Sequence, residues 1–408
     1  MLKKVFVNRR VALLWAGQVV SQTGDTVYQI GLLWLMLETT GRKSLTGLAA
    51  SALFVPTLLF GLPAGVLADR VSRRHLMIGA DLLRAVLVMA IPAAAGTSLF
   101  TPAYLAVVTF AVASCAAVFY PARDALLPDL VEHKDLPHAN ALIQTSWQLA
   151  ILLGPVVAGI MLPLTGIIHL FTFDAFTFLI SLVAIVAIGK GVVVRTAPVS
   201  RLAPSPTMQL REGLSYIARN PLMRMLVFIT AIDNLILMGP AIVGPPILVR
   251  EVLKLDDPRA YAWVQASLAG GMLVGAPFMA VFGKRLPLGK TALWGVVLDG
   301  LTYAPLFFVN SLYGVMAVIF VHSFFIPLIT VSRTTLIQHR VPAELHGRMF
   351  AVISVCVVGG TALSAALTGL AAEVVPIQTI YLVIGLAAAA TATPGFLLPG
   401  LKEAGRPA

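Results

Sequence analysis

Charged residues are scarce in this sequence. Asp, Glu, Lys and Arg make up only 12% of its 408 residues, whereas 58% of the residues are hydrophobic. A soluble chain of this length exposes far more charge, so the composition excludes a soluble globular protein. The hydrophobic residues also lie in long blocks, and a block of about 18 or more is typical of a transmembrane helix.

Cysteine is almost absent, and so are the motifs of most enzymes. The 2 cysteines, Cys115 and Cys356, lie within apolar blocks and form neither a disulfide framework nor a metal motif. The 7 His residues show no metal-ligand spacing. No Walker-type phosphate loop is present, which excludes an ATP-driven pump with its motor in the same chain. We therefore expect no enzymatic activity, no metal site and no cofactor.

Apolar blocks long enough to cross a bilayer follow one another along the whole chain. Twelve spans of about 20 residues need roughly 240 residues, which leaves only short loops. The sequence therefore predicts an all-α membrane protein with twelve transmembrane helices. The predicted spans are 11–37, 45–67, 75–95, 102–120, 139–162, 168–189, 222–248, 260–282, 291–309, 312–332, 349–372 and 377–398.

The longest polar stretch, residues 190–221, lies between the sixth and seventh predicted spans. It predicts a cytoplasmic linker between two six-helix bundles, residues 1–189 and 222–408. A short amphipathic helix is expected at Met208 to Arg219. This helix either lies on the inner leaflet of the membrane or is part of a solvated linker, and the sequence leaves both alternatives open.

The Lys and Arg residues are distributed unevenly over the predicted loops. The sequence has 29 Lys and Arg against 18 Asp and Glu, for a net charge of +11. If both termini are inside, only Arg42, Lys43, Arg250, Lys254 and Arg259 fall in outer loops, as the positive-inside rule requires. The basic excess therefore indicates membrane topology and not nucleic-acid binding. We expect a multi-pass protein of the bacterial inner (cell) membrane with both termini in the cytoplasm.

The first span carries a polar stripe. Gln18, Gln22, Asp25 and Gln29 are spaced so that they share one face of a helix. An ionisable side chain near the bilayer centre is costly unless it faces a cavity or a partner, so we expect the stripe to line a central path. The alternative is a buried aspartate that is hydrogen-bonded to a neighbouring helix.

Two further spans have polar faces, in span five and in span seven, where an Asp-Asn pair echoes Gly24-Asp25 of span one. Amides and aromatic rings suit a bulky, partly apolar or cationic ligand, although such residues also serve interhelical hydrogen bonding. An intramembrane aspartate that changes its protonation state between two conformations can couple proton flow to transport. The further candidate cavity residues are Trp15, Tyr28, Gln144, Trp147, Gln148, Thr230, Asp233 and Asn234.

One loop motif is specific enough to suggest a family. Gly65 to Arg74 reads Gly-Val-Leu-Ala-Asp-Arg-Val-Ser-Arg-Arg, which resembles the signature between helices two and three of the major facilitator superfamily. Only Ser72 departs from the usual pattern, where a second glycine stands.

Other stretches point to one branch of that superfamily. Trp15 to Asp25, Pro121 to Val131 and Gln338 to Arg348 look like macrolide-efflux and enterobactin-exporter relatives. Gly154-Pro155 and Gly159 in span five are similar to the antiporter signature of drug–proton exchangers, with alanines at some of its glycine positions.

The resemblance implies a secondary transporter with alternating access. It implies efflux of small amphipathic molecules, such as drugs in multidrug resistance, macrolide-like compounds or siderophore-like metabolites, by proton antiport. It also implies that Asp69 lies near the N-terminus of span eleven, where the helix dipole favours a carboxylate and Arg348 or Arg73 can pair with it. The implied conformational gate comprises Gly65, Asp69, Arg70, Arg73, Arg74 and Arg348.

Two other function classes remain open from the sequence. Gly24-Asp25 followed by an aromatic residue also looks like bacterial ferroportin relatives, which would make the chain a divalent-metal transporter. Against this, span seven lacks a cysteine and the intramembrane acids have no obvious His partners. A non-transporting receptor or lipid scramblase could use the same scaffold. We expect the partners to be a small-molecule substrate, protons and the lipid bilayer, and the protein to be a monomer.

Overall fold

The computed structural model describes residues 8–189, 206–342 and 345–398, and within these ranges the chain is helical, without a β-strand. We label the helices in chain order. They are α1 (Arg9–Thr40), α2 (Lys43–Ala52), α3 (Val55–Arg70), α4 (Arg73–Ala94), α5 (Pro102–Leu126), α6 (Leu136–Thr165), α7 (Ile168–Ala187), α8 (Pro206–Arg219), α9 (Pro221–Ile247), α10 (Pro258–Phe282), α11 (Leu288–Leu301), α12 (Leu312–Arg340), α13 (His346–Val374), α14 (Ile377–Thr391) and α15 (Thr393–Leu397).

Side-chain caps set the start of several of these helices. The Asn8 side chain accepts hydrogen bonds from the first N–H groups of α1, and Gly41, with a φ of 62°, ends that helix in the left-handed region. Thr101, Asn220 and Asp257 cap α5, α9 and α10 in the same way, and each is followed by a proline at the first helical position. Proline is favoured there because its missing N–H would have no partner within the helix.

The helices form two contact units. The first comprises Met1–Gly41 and Ala52–Ala203, and the second Arg42–Ser51 and Pro204–Ala408. In the first unit α1 packs against α6 and α7, α4 against α5 and α7, and α3 against α5. In the second unit α9 packs against α13 and α14, α11 against α12 and α14, and α10 against α12. The second unit therefore repeats the helix pairing of the first, as internally duplicated transporters do.

Ten helical stretches in the described part of the chain are long and apolar enough to cross a membrane. The other two predicted spans, 11–37 and 291–309, correspond to α1 and α11. α1 has 32 residues, but its polar stripe lowers its hydropathy, and α11 has only 14 residues. The fold is thus that of an all-helical, multi-pass membrane protein, and the number of twelve spans stays a prediction.

The outward surface of the helices is apolar. On α4, for example, Leu82, Leu83 and Val86 are exposed. A surface of this kind is unfavourable in water and is the surface that lipid chains cover in a bilayer.

Helix α2, the first part of predicted span two, makes its polar contacts within the second unit. The Ser44 backbone N–H and hydroxyl donate to Glu373 Oε1 at 2.9 and 2.7 Å, and the Ser51 hydroxyl donates to the Ala362 carbonyl at 2.6 Å. Between them Gly47 faces Gly369 of α13 so closely that a Cβ at Gly47 would lie 2.8 Å from the Gly369 Cα. The absence of side chains at both positions lets the two helix backbones touch.

The linker helix α8 packs against α13 and α9. Glu212 forms an ion pair with Arg348 at 2.6 Å, and Gly213 lies against the backbone carbonyl of Arg348. Ile217 of the predicted apolar face is buried, whereas Leu214 is exposed. One side of this helix is therefore covered by protein, and only the remainder is available to lipid or solvent.

We expect Gly47→Ala to destabilise the protein by about 1–3 kcal/mol, because the new methyl group overpacks the α2–α13 contact. The added Cβ would lie 2.5 Å from the Ala365 carbonyl oxygen. Gly79→Ala on α4 is the matched control, since nothing lies within 4 Å of its Cβ position, and we expect it to be neutral or stabilising by about 0.5–1 kcal/mol. Thermal unfolding in detergent measures both, and equal unfolding temperatures would contradict the close contact.

Candidate functional site

The predicted polar stripe on α1 is partly buried in helix contacts. Gln18 and Gln22 are buried, and the Gln22 side chain accepts a hydrogen bond of 2.8 Å from Ser146 of α6. The Gln22 amide donates to Gln18 Oε1 at 3.4 Å. Asp25 and Gln29, further along the stripe, are only half-buried. The stripe thus begins as an interhelical hydrogen-bond network and opens toward Asp25.

A buried arginine lies beside Asp25. The Arg84 side chain on α4 is 1% exposed and forms an ion pair with Asp81, one helical turn earlier. Its Nη1 atom lies 3.9 Å from Oδ1 of Asp25, whose side chain is 27% exposed. The guanidinium also lies over two rings, 4.6 Å from the Phe119 centroid and 4.2 Å from the Phe178 centroid. Cation–π contacts of this kind stabilise a charge that has lost its water.

A third carboxyl completes the cluster. Asp174 of α7 is fully buried, and the Thr177 hydroxyl lies 3.2 Å from its Oδ1 atom. Gly24 makes this approach possible, because a Cβ there would overlap both Asp174 Oδ1 and Thr177 Oγ1. The Tyr120 hydroxyl donates to Asp25 Oδ2 at 3.3 Å.

Several buried polar atoms of these residues have no hydrogen-bond partner in the described part of the chain. Among the described residues, Nε and Nη1 of Arg84 and Oδ2 of Asp174 are buried without a hydrogen-bond partner. Buried polar groups in proteins are nearly always satisfied, so these unsatisfied atoms make the cluster a candidate site for protons, water or ligand atoms. We call Asp25, Asp81, Arg84 and Asp174 the acid–arginine cluster.

The antiporter-like motif on α6 packs against α1 beside this cluster. A Cβ at Gly154 would lie 2.5 Å from the Thr26 Cβ, so a glycine is needed for the two helices to approach next to Asp25. Pro155 and Gly159 are also buried in the α6 contact face. The motif therefore fixes the distance between α6 and the polar stripe.

The other predicted residues of span five lie on a different face of α6. Gln144, Trp147 and Gln148 are exposed, Trp147 by 46%, while Thr145 contacts α1 by accepting a 3.0 Å hydrogen bond from Trp15 Nε1. Exposure is required of cavity-lining residues, but the structure does not bring these three into contact with Asp25.

Tyr28 departs from its predicted position as a cavity residue. Its side chain is buried, its hydroxyl lies 2.7 Å from Thr109 Oγ1 and its ring meets Phe171 edge to face. The reason is the position of Tyr28 on α1, on the side that faces α5 and α7, where an aromatic ring fills the helix contact.

In the second unit, Asp233 and Arg333 line one narrow, otherwise apolar cleft between α9, α11 and α12. Asn234 is buried and donates to the Thr230 carbonyl at 2.8 Å, and Arg333 Nη1 lies 3.5 Å from Thr230 Oγ1. Asp233 Oδ1 is buried without a hydrogen-bond partner in the described chain. The second unit thus also has an acid with a buried carboxyl oxygen in one cleft with an arginine.

The predicted gate arginines Arg73, Arg74 and Arg348 have partners among the described residues. Arg73 donates to Asp129 Oδ2 at 2.7 Å and to the Ala125 carbonyl at 2.9 Å, and Arg348 pairs with Glu212. Arg74 donates to the carbonyls of the last turn of α7, where cations are favoured by the helix dipole.

Two other gate positions, Gly65 and Arg70, are not in close packing contacts with the described residues. Gly65 has open space at its Cβ position and Arg70 is exposed. The side chain of Asp69 lies outside the described part of the structure, so its predicted role stays a prediction.

Sequence reasoning missed two groups of residues. Arg84 and Asp81 could have been found, because an acid and a base three residues apart within an apolar span predict an intrahelical pair. The expectation that the intramembrane acids lack histidine partners is wrong for Asp299, which lies 3.4 Å from Nδ1 of His322. No sequence pattern connects these two, because they lie on different helices.

Comparison with known proteins identifies the family of this chain and several relatives. The sequence profile of the transmembrane secretion effector family, a group of major facilitator proteins, matches residues 4–406. The multidrug efflux pump Tap of Mycobacterium tuberculosis (strain ATCC 25618 / H37Rv) is 26% identical over 404 residues, which cover 96% of this chain and 94% of that protein. Macrolide efflux protein A of Streptococcus pyogenes is 25% identical over 352 residues, or 83% of each chain.

Solved structures share the fold. A bacterial homologue of the iron transporter ferroportin, in an inward-facing state, superimposes with a TM-score of 0.71 at 15% identity, and the match covers 95% of this chain and 98% of that chain. At this identity the likeness concerns the fold alone.

We expect Arg84→Leu to destabilise the protein by about 3–5 kcal/mol, because it leaves buried carboxyls without their cation. Arg84→Leu combined with Asp81→Leu should recover part of this loss, since removal of both partners of a buried pair is often close to neutral. Arg70→Leu, at an exposed arginine, is the control. Thermal unfolding in detergent measures all three, and a double variant no more stable than Arg84→Leu would contradict the pairing.

Proposed function

The chain belongs to the transmembrane secretion effector family of major facilitator transporters, and from this premise we propose that it exports small amphipathic molecules by proton antiport. Its relatives Tap and macrolide efflux protein A are efflux transporters by name. Multidrug and macrolide efflux both concern bulky, partly apolar molecules, which supports the same substrate class here. Drugs, macrolide-like compounds and siderophore-like metabolites all fall within it.

The observation that carries the proton-coupling part of the proposal is the acid–arginine cluster. Two carboxyls, of Asp25 and Asp81, are ion-pair partners of the buried guanidinium of Arg84, and a third, of Asp174, is buried against Gly24, the residue before Asp25. One positive charge does not compensate three negative charges in a low-dielectric site, and like charges close together oppose simultaneous ionisation. The cluster therefore holds protons whose number depends on its surroundings, as coupled carboxyls do.

Asp25 is the member that exchanges its proton with the outside of the cluster. It is the most exposed of the three acids, and it is separated from Arg84 by 3.9 Å, whereas Asp81 is in direct contact with the guanidinium. An ionised Asp25 attracts Arg84 across α1 and α4, and a protonated Asp25 does not. Protonation thus changes the attraction between α1 and α4, and in this way the binding of a proton favours one conformation over another.

Substrate binding is proposed to act on the same carboxyl. A cationic or polar group of the substrate near Asp25 favours its ionised form and so releases the proton. Gln29 and the exposed side chains of Gln144, Trp147 and Gln148 offer amide and aromatic contacts to such a molecule. Export then follows when the loaded transporter changes conformation and a new proton displaces the substrate.

The alternative of divalent-metal transport rests on the resemblance of Gly24-Asp25, followed by an aromatic residue, to bacterial ferroportin relatives. Efflux is favoured because two relatives that match along the sequence, Tap and macrolide efflux protein A, are named as efflux proteins. Divalent cations would also need several converging carboxylate, imidazole or thiolate ligands, and the acid–arginine cluster places a guanidinium among its carboxyls.

We further propose a twelve-span monomer of the bacterial inner membrane with both termini in the cytoplasm. The uneven distribution of Lys and Arg over the loops supports this topology. The gate residues around Asp69 are proposed to bias the conformational equilibrium and not to bind substrate.

We expect Asp25→Asn to abolish gradient-driven export while retaining exchange, because an amide cannot release a proton. In proteoliposomes with a proton gradient, export of erythromycin or ethidium should fall by about tenfold or more, and exchange without a gradient should stay within about threefold. Asp124→Asn is the control, since Asp124 is an exposed acid paired with Arg123. Full proton-driven export by folded Asp25→Asn protein would end the proposal for this residue.

The topology is tested with single cysteines on a background in which Cys115 and Cys356 are replaced by Ser. Both chosen positions are exposed, Arg211 on the linker helix and Lys254 between α9 and α10. We expect Arg211→Cys to be labelled by an impermeant maleimide only in inverted vesicles and Lys254→Cys only in intact cells. The reverse pattern would refute the orientation.

A further inference from the structure

A further acid of the second unit, Asp299, is buried. Asp299 is near the end of α11, and its side chain is 7% exposed. His322 of α12, 3% exposed, lies against it, with Nδ1 at 3.4 Å from Asp299 Oδ1. The proposed function does not use this pair.

The contacts of His322 fix its proton arrangement. Nδ1 lies 3.0 Å from the backbone carbonyl oxygen of Asp299, and a carbonyl can only accept, so Nδ1 carries a hydrogen. The neighbouring Thr302 hydroxyl, 3.3 Å from Nδ1, has its own acceptor in the Leu298 carbonyl at 2.7 Å. The imidazole is therefore held in one tautomer, and its Nε2 atom is where a further proton can be added.

The Asp299 carboxyl is left incompletely paired. Its Oδ1 atom is buried without a hydrogen-bond partner among the described residues, because Nδ1 of His322 is directed to the backbone carbonyl of the same residue. An ionised carboxylate with an orphaned oxygen is costly in a dry site. A bound proton, or an imidazolium at His322, removes that cost.

The surroundings of the pair are aromatic and contain few charges. The Tyr303 ring lies 3.9 Å from the His322 ring, centroid to centroid, and Tyr381 of α14 stacks on Tyr303 at 5.4 Å. Rings on this side exclude water and supply no permanent charge.

The titratable groups on the other packed helices are few. Beyond Tyr261 at its start, α10 has no titratable residue up to Phe282. α13 has only Cys356 between Arg348 and Glu373. On α9 the acid is Asp233, which lines the cleft with Arg333.

The two acid sites of the second unit are connected through α12. His322 and Arg333 are 11 residues apart, which places them on the same face of that helix about three turns from each other. One face of α12 therefore carries the partner of Asp299 and the basic neighbour of Asp233. A change of charge at one site acts on a helix that also forms the other.

We propose that Asp299 and His322 form a second proton-binding site, which takes up and releases a proton during the transport cycle together with Asp233. The proposal rests on the proton coupling of the proposed function. In the electroneutral state the pair holds one exchangeable proton, on the carboxylate or on Nε2. Release of that proton leaves an ionised carboxylate beside the neutral imidazole, and uptake of one proton restores the electroneutral pair.

The first test measures proton binding directly and needs no substrate. Infrared difference spectra of the protein in lipid nanodiscs are recorded between about pH 5 and about pH 9, a range that spans the ordinary titration of imidazole groups and lies above that of ordinary carboxyl groups. We expect a protonated-carboxyl band that is absent in Asp299→Asn and shifted in His322→Asn. His322→Asn keeps an N–H donor for the Asp299 carbonyl and cannot be protonated.

Matched controls are available on the same chain. His169→Asn and Asp124→Asn change exposed residues of the same types and should leave the band unchanged. A band that is identical in wild type, Asp299→Asn and His322→Asn would overturn the proposal. If Asp299→Asn does not fold, His322→Asn decides the question alone through the band shift.

The second test separates this site from the proposed function. In the erythromycin and ethidium assay, Asp299→Asn and His322→Asn should lower gradient-driven export by about fivefold or more and leave exchange within about threefold. Wild-type export that ignores the gradient would refute the proposed proton coupling, whereas the infrared band reports on Asp299 independently. Gradient-driven export at the wild-type rate in both variants, with Asp25→Asn inactive, would overturn the second site and leave the proposed function standing.

Discussion

The burial of one guanidinium is the constraint on which the first unit depends. Arg84 is almost fully enclosed, and a charge in that position is tolerated only with a partner acid and polarisable surroundings. Asp81 supplies the first, and the rings of Phe119 and Phe178 supply the second. Because Arg84 is fixed on α4, Asp25 on α1 has a cation nearby. The protonation state of Asp25 then changes the attraction between α1 and α4.

Glycines let the helices come close enough for this arrangement. Gly24 allows α7 to bring Asp174 against α1, and Gly154 allows α6 to pack beside Thr26. Without a strong hydrophobic force between helices in lipid, close packing at small residues is a main source of their association. The residues that shape the charged site are therefore largely residues without side chains, which make no chemical contribution of their own.

The periodicity of the sequence was sufficient for the helices and for the stripe on α1, because both depend on spacing along one helix. It also placed Asp25 and Asp233 at corresponding positions of two halves, whose helix pairing the structure repeats. It could not connect Asp25 with Arg84, Gly24 with Asp174, or Asp299 with His322, since these contacts join different helices. Tyr28 is the opposite case. Its position next to the stripe predicted a cavity residue, but its side chain faces α5.

The two units repeat a helix arrangement but not its chemistry. In the first, the carboxyls of Asp25 and Asp81 pair with one arginine, whose charge is permanent at physiological pH. In the second, Asp299 meets a histidine, whose charge is not. Around a permanent cation only the carboxyls change their charge, whereas beside a histidine both the acid and the base can gain or lose charge. The two halves therefore differ in which groups can change their charge. A transporter that cycles between proton-loaded and substrate-loaded forms needs at least one such group.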